Sequence, residues 1–97
     1  MEFVYIIKPY KENFAETMTE EDGRIMGIHF QYLKNMLLEG KLIMAGPVLT
    51  GEFGVAILEV SSEEEARNIM ENDPAVVNGV VTATLYPYRV SLLRGRE

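Results

Sequence analysis

The sequence predicts an α+β fold with the element order β-α-β-β-α-β. Two segments have helical periodicity, and each begins at a residue type that caps helices, Thr19 and Ser62. Four apolar runs of strand length flank these helices, and Pro9 and the Gly46-Pro47 pair end the first two of them. This order is that of the ferredoxin-like arrangement, in which one four-stranded antiparallel sheet carries both helices on one face.

The composition excludes several classes of function. One domain over residues 1–97 is expected, because this length supports a core of modest size. The formal charge of −6 argues against nucleic acid as a partner, since phosphate neutralisation needs clustered Lys and Arg. With no cysteine and one histidine, a thiolate site or a His-rich metal site within one chain is excluded. We expect no cofactor, no metal, no membrane partner and a cytoplasmic location.

The first strand is predicted over residues 2–8 and ends at Pro9. Both of its faces are apolar, so both should be covered in the folded protein. The polar segment 10–19 is predicted to be a loop over the surface, with Phe14 and Met18 as its anchors. A loop of this kind could serve as a lid over a pocket.

The first helix is predicted to begin at Thr19, with Asp22 completing a capping box. A start as late as Arg24 is the alternative, because two glycines in the first turns cost about 1 kcal/mol each relative to Ala. The helix should end at Gly40, which suits a left-handed cap.

The second helix, like the first, has a start signal and a stop signal. Ser62 and Glu65 have capping-box spacing, and Pro74 pushes the residue before it out of helical geometry. Residues 73–79 are predicted to be a connection, and residues 89–97 a tail that could add a short arm. The remaining elements are predicted as strands over 41–45, 53–60 and 80–88 and a second helix over 62–72.

The first and third strands are apolar on both faces, although the helices can cover only one face of the sheet. A solvated face would alternate apolar residues with charged ones. A contiguous apolar patch of this size is large for a monomer. We therefore predict a symmetric homodimer through the sheet face opposite the helices. The alternative is that the 10–19 loop or the tail folds over that face.

The only histidine, His29, lies in the middle of the first helix. At about 100° per residue it shares the apolar side of that helix with Ile25, Leu33 and Met36. It is therefore either a core imidazole bonded to a backbone carbonyl or a general acid–base group in a pocket between helix and sheet. A base of this kind needs a second group that fixes its tautomer.

Asp73 is the first candidate for the second group, and Asp22, two turns before His29 on the same helical face, is the other. Asp73 could equally form a turn with the proline that follows it. Asp22 could be a surface residue that the helix dipole favours at the start of the helix. Sequence spacing does not show which carboxylate reaches the imidazole. Tyrosines at this periodicity are more often core residues. Three could nevertheless place substrate-binding hydroxyls in the same cavity: Tyr5, Tyr32 and Tyr86.

Taken together, these residues resemble the YCII-related family over nearly the whole chain. The matching segments are His29-x-x-Tyr32-Leu33, Gly40 to Pro47, Glu64-Glu65-Ala66, Asp73-Pro74, Gly79 and Tyr86-Pro87-Tyr88. The resemblance implies a dimeric α+β barrel and a catalytic pair formed by His29 and Asp73. It also implies cofactor-free chemistry, such as dehydrochlorination of a chlorinated hydroxylated aromatic. Muconolactone isomerases and antibiotic-biosynthesis monooxygenases are related barrels. The segment 10–22 is longer than in a minimal member.

Two hypotheses of function follow. The first is a cofactor-independent lyase or isomerase for a small acidic or aromatic metabolite, in which His29 abstracts a proton and Asp73 orients the imidazole. The second is a non-enzymatic dimeric module that binds a small metabolite or a partner, in which the two side chains do not meet. The separation between His29 and Asp73 distinguishes these hypotheses.

Overall fold

A computed structural model describes residues 1–96 of the chain. The elements in chain order are β1 (Glu2–Pro9), α1 (Phe14–Thr17), α2 (Glu20–Leu38), β2 (Leu42–Pro47), β3 (Gly54–Glu59), α3 (Glu63–Glu71), α4 (Pro74–Val77) and β4 (Val81–Tyr88). The strands form an antiparallel sheet in the order β2-β3-β1-β4. The predicted ferredoxin-like α+β fold is therefore confirmed, with β1 and β3 at the centre of the sheet.

Two short helices occupy segments that the sequence predicts as loops. Helix α1 lies in the 10–19 segment, where Phe14 is 9% exposed and joins the core. Helix α4 lies in the 73–79 connection because the Asp73 side chain accepts a hydrogen bond from the Ala75 N–H at 3.0 Å. The proline at the first position of α4 has no N–H to satisfy and favours a helix start. The predicted arm is described up to residue 96 and turns back through an isolated bridge between Leu93 and Arg96.

The helix starts follow local capping chemistry. The Thr19 hydroxyl accepts from the Asp22 N–H, and the Asp22 carboxylate accepts from the Thr19 N–H, both at 3.0 Å. This box fixes the earlier of the two predicted starts for α2. At α3 the Ser62 hydroxyl accepts from the Glu65 N–H at 3.1 Å, but the Glu65 carboxylate accepts from the N–H of Ser61. The second predicted capping box is therefore only half formed.

The core lies between one face of the sheet and the helices. Alternate residues of β1 point into it, and Phe3 and Tyr5 are almost fully buried. Tyr5 pairs with Ala56 on β3 and with Leu85 on β4, so these side chains share the same face. Buried residues of α2 and α3 belong to the same apolar cluster. Both long helices therefore cover this face of the sheet.

The other face of the sheet is open and apolar. Val4, between Ile57 and Tyr86 in the strand register, and Ile6 are only partly buried. Met44, which pairs with Ile57, and Tyr86 are each 51% exposed. We call this surface the open face. Within residues 1–96, no helix has both the length and the apolar character that crossing a membrane requires.

Candidate functional site

The middle of α2 brings His29 against the residue that caps α4. Nδ1 of His29 lies 2.7 Å from Oδ1 and 2.8 Å from Oδ2 of Asp73, although 44 residues separate them along the chain. The Asp73 side chain is fully buried, and His29 is 8% exposed. The helical turn that points His29 toward the sheet and the Asp-Pro helix start therefore meet in the core.

Two further donors converge on the Asp73 carboxylate. The Tyr5 hydroxyl donates to Oδ2 at 2.9 Å, and the Ala75 N–H donates to Oδ1 at 3.0 Å. An ionised carboxylate only accepts hydrogen bonds, so this set of partners suits the charged form. The hydrogen-bond network then assigns a ring proton of His29 to Nδ1, which donates to Asp73, so that Nε2 is the unprotonated nitrogen of the neutral imidazole.

The other ring nitrogen has a different environment. Nε2 of His29 has no hydrogen-bond partner within residues 1–96, whereas every buried side-chain nitrogen and oxygen in that range is partnered. Nε2 therefore retains accessible surface and accounts for part of the residual exposure of His29. A neutral imidazole in this tautomer can take a proton only at Nε2.

Burial and charge act on the tyrosines around the carboxylate. Burial raises the pKa of Tyr5, and the charge of Asp73 and its hydrogen bond with the hydroxyl raise it further. Burial also raises the pKa of Tyr32, followed by the charges of Asp73 and Glu39. Both phenols are therefore protonated donors at neutral pH.

Comparison with known proteins identifies the family of this chain. A family model described as the YCII-related domain matches residues 1–87. The chain belongs to the YCII-related family. No curated protein matches it.

A solved structure, the 5-chloro-2-hydroxyhydroquinone dehydrochlorinase of Burkholderia phenoliruptrix in complex with 2,5-dihydroxybenzoquinone, is similar to this YCII-related chain. The two share 20% identity, with a TM-score of 0.70 over 92% of this chain and 94% of that one. At this identity the likeness establishes the fold alone.

The three tyrosines of the predicted cavity lie in three different environments in this YCII-related protein. Tyr5 is fully buried beneath the helices, and the Tyr32 hydroxyl donates to the backbone oxygen of Ile69 at 2.8 Å. Tyr86 pairs with Val4 in the strand register and lies on the open face, away from the imidazole. The prediction that all three hydroxyls share one cavity is therefore wrong within the protomer.

Two surface depressions are present near these residues. A groove of about 420 Å³ between α2 and α4 is lined by residues that include Tyr32, Arg24 and Pro74. A second depression of about 280 Å³ lies on the open face beneath the tail, where Met44 and Leu93 line it. Neither is lined by His29 or Asp73, but the first borders Pro74, which follows Asp73 in the chain.

Asp22, the other predicted partner, does not contact the imidazole. Its carboxylate accepts from the Tyr10 hydroxyl at 2.9 Å and lies 3.3 Å from Nζ of Lys11. It is 6% exposed, so the interpretation of Asp22 as a surface residue is also wrong. The Thr19 N–H lowers the pKa of Asp22 most, and the side chains of Tyr10 and Lys11 lower it further.

Sequence reasoning missed the contact between the Tyr5 hydroxyl and Asp73, because it treated Tyr5 as a substrate-binding group. It also missed the Ala75 N–H as a donor. One signal was available for the second: Asp before Pro is a common start of a helix, and the residue two positions after such a cap donates to its side chain. No sequence signal pairs Tyr5 with a carboxylate 68 residues away.

Proposed function

We propose that this YCII-related protein is a cofactor-independent lyase or isomerase in which His29 is the acid–base group. One observation carries the proposal: the only histidine is held at Nδ1 by a buried carboxylate, while Nε2 remains accessible and has no hydrogen-bond partner among the 96 described residues. An imidazole that accepts a proton at Nε2 becomes a cation, and Asp73 stabilises that cation. The contact also argues against the alternative of a non-enzymatic module, in which the two side chains lie apart.

The proposed substrate is a small, acidic, hydroxylated aromatic that carries a leaving group. A chlorinated hydroxyhydroquinone illustrates the steps. A ring hydroxyl passes its proton to Nε2, and the imidazolium returns a proton to the carbon that bears chlorine. Nε2 then takes the proton of a second hydroxyl as chloride leaves with the electron pair of the carbon–chlorine bond. The net change is loss of one proton and one chloride, so no oxidant or reductant is consumed.

Tyr32 and Tyr86 have separate roles in this proposal. Tyr32 lines the groove between α2 and α4 and is the substrate-facing tyrosine. Tyr86 belongs to the open face, where we propose that two copies of the chain pack sheet to sheet. The support for the homodimer is the row of apolar or half-exposed side chains there, including Met44 and Tyr88, of which 51% and 47% are exposed. Removing apolar surface from water contributes about 25 cal/mol per Å² in favour of association, and the loss of translational and side-chain freedom opposes it.

The catalytic proposal is tested with His29→Gln, which keeps a hydrogen-bonding side chain next to Asp73. Lys34→Gln is the matched control, because Lys34 is an exposed residue of the same helix. The assay is chloride release from 5-chloro-2-hydroxyhydroquinone and from a panel of halogenated hydroquinones. We expect turnover by the parent and the control, and a loss of at least about 100-fold in His29→Gln, within the range of general acid–base catalysis. Equal turnover by His29→Gln, or no turnover by the parent on the whole panel, contradicts the proposal.

The dimer is tested with Ile6→Glu, which places a charge at the centre of the open face. Leu38→Glu is the control, because Leu38 is 76% exposed at the end of α2, outside the sheet. Sedimentation should give about twice the chain mass of 11.0 kDa for the parent and the control, and a single chain mass for Ile6→Glu. A parent that sediments as a single chain at micromolar concentration overturns the homodimer.

A further inference from the structure

We infer that Tyr5 is a positioning residue that holds Asp73 in the orientation that His29 requires. The inference rests on the proposed function and assigns Tyr5 a role other than binding substrate. The Tyr5 side chain is fully buried, so its hydroxyl contacts the Asp73 carboxylate and a substrate arriving from solvent does not reach it. It acts on the reaction only through Asp73.

The geometry gives this hydroxyl a defined task. Oδ1 of Asp73 is held by the Ala75 N–H, which belongs to the backbone of α4. Oδ2 has no backbone donor, and the Tyr5 hydroxyl at 2.9 Å takes that place. The plane of the carboxylate is thereby fixed from both sides, with both oxygens within 2.8 Å of Nδ1 of His29.

The direction of the hydrogen bonds follows from the protonation of Tyr5. Burial and the neighbouring negative charge keep the phenol protonated, so it donates to Asp73. A carboxylate that receives donors from Tyr5 and Ala75 spreads its charge over three hydrogen bonds, and His29 contributes the third. Without the phenol, the carboxylate holds more charge against the imidazole, and the pair binds a second ring proton more readily.

Because the chain has a single histidine, its ring nitrogens can be followed without ambiguity. The experiment labels histidine with ¹⁵N and records two-bond nitrogen–proton correlations between pH 5 and 9 in the parent, in Tyr5→Phe and in Tyr10→Phe. Tyr10→Phe is the matched control, since it removes a tyrosine–aspartate hydrogen bond of the same 2.9 Å length at Asp22. No substrate is needed.

We expect the parent and Tyr10→Phe to give the same spectrum at each pH, with the proton of the neutral ring on Nδ1. In Tyr5→Phe the ring should become doubly protonated at a higher pH than in the parent. In the chloride-release assay kcat should fall by about 10-fold or more with KM little changed. Residues that hydrogen-bond to metal-ligating histidines have effects of this size. Identical titrations of the parent and Tyr5→Phe, or the same shift in Tyr10→Phe, overturn the inference even if His29 proves catalytic.

A measurement on the parent keeps the inference testable if Tyr5→Phe does not fold. The Tyr5 hydroxyl proton should exchange slowly with water and show a nuclear Overhauser effect to the Tyr5 ring, because the group is buried and hydrogen-bonded. A rapidly exchanging or undetectable hydroxyl proton contradicts it. If instead the spectra agree with the inference while His29→Gln retains full turnover, the proposed function fails and the positioning of Asp73 stands.

Discussion

Two tyrosine–aspartate pairs occur within residues 1–96 and differ in what surrounds them. Tyr10 donates to Oδ2 of Asp22 and Tyr5 donates to Oδ2 of Asp73, each at 2.9 Å. Tyr10 is 50% exposed, whereas Tyr5 is fully buried. Each aspartate also accepts a backbone N–H at the start of a helix, from Thr19 or from Ala75, so both are part of helix capping.

The third partner separates the two pairs. At Asp22 it is Lys11, a permanent cation at 3.3 Å whose side chain is partly in solvent. At Asp73 it is His29, whose imidazole Nδ1 lies 2.7 Å from the carboxylate and whose side chain is almost fully buried. The same hydrogen bond therefore connects the 10–19 segment to α2 in one place and holds the carboxylate that contacts an imidazole in the other. A tyrosine–aspartate pair by itself does not indicate a reactive site, and the proposed function rests on the imidazole beside the buried carboxylate.

The largest expected difference between the two pairs is in turnover after each aspartate is changed to asparagine. In Asp73→Asn the amide can donate to Nδ1 of His29, which favours the tautomer with the proton on Nε2 and removes the base. We expect turnover to fall by about 10³- to 10⁴-fold, the size of effect seen when an orienting carboxylate of a catalytic triad becomes an amide. Asp22→Asn should retain parental turnover. Comparable losses in the two variants, measured by initial rates at saturating substrate, would remove the distinction between the pairs.

The sequence predicts the helices and strands more accurately than the contacts between their side chains. Capping residues and periodicity locate α2 and place His29 on its apolar side, because these signals act within a few residues. The residues make Asp73 the first candidate partner of His29 and leave Asp22 open, and only the family resemblance implies the pair, since the contact depends on how α2 and α4 pack over the sheet. The alternation of β4 does not show which side faces the helices, so it does not reveal that Tyr86 and Tyr5 lie on opposite faces of the sheet.

Changing each aspartate to alanine should lower the free energy of unfolding by different amounts in the two pairs. Asp73→Ala leaves the Tyr5 hydroxyl, the Ala75 N–H and the His29 ring without their buried acceptor. We expect the free energy of unfolding to fall by about 3–5 kcal/mol, as when one partner of a buried charged pair is removed. Asp22→Ala should cost less, because solvent reaches its partners. Urea unfolding at one fixed protein concentration measures both, and equal midpoints for the two variants would contradict this ranking.

The smallest expected effect concerns the response of the Tyr10–Asp22 pair to acid pH. The pKa of Asp22 is lowered in the folded protein, first by the Thr19 N–H, from an ordinary value of 3.8. The unfolded chain therefore binds a proton at Asp22 before the folded chain does as the pH falls. The stability that Asp22 contributes is fully present well above pH 3.8 and is lost as the pH falls through its lowered pKa. Asn at position 22 does not titrate.

The difference in unfolding free energy between the parent and Asp22→Asn should therefore be constant from pH 7 to about pH 5 and shrink toward pH 3. Tyr10→Phe removes one donor to Asp22 and leaves the Thr19 N–H, so its acid dependence should lie between the two. Urea unfolding at each pH measures all three proteins. A difference that stays constant down to pH 3 would mean that Asp22 stabilises α2 by its geometry rather than by its charge, and the two tyrosine–aspartate pairs would then differ in more than the third partner.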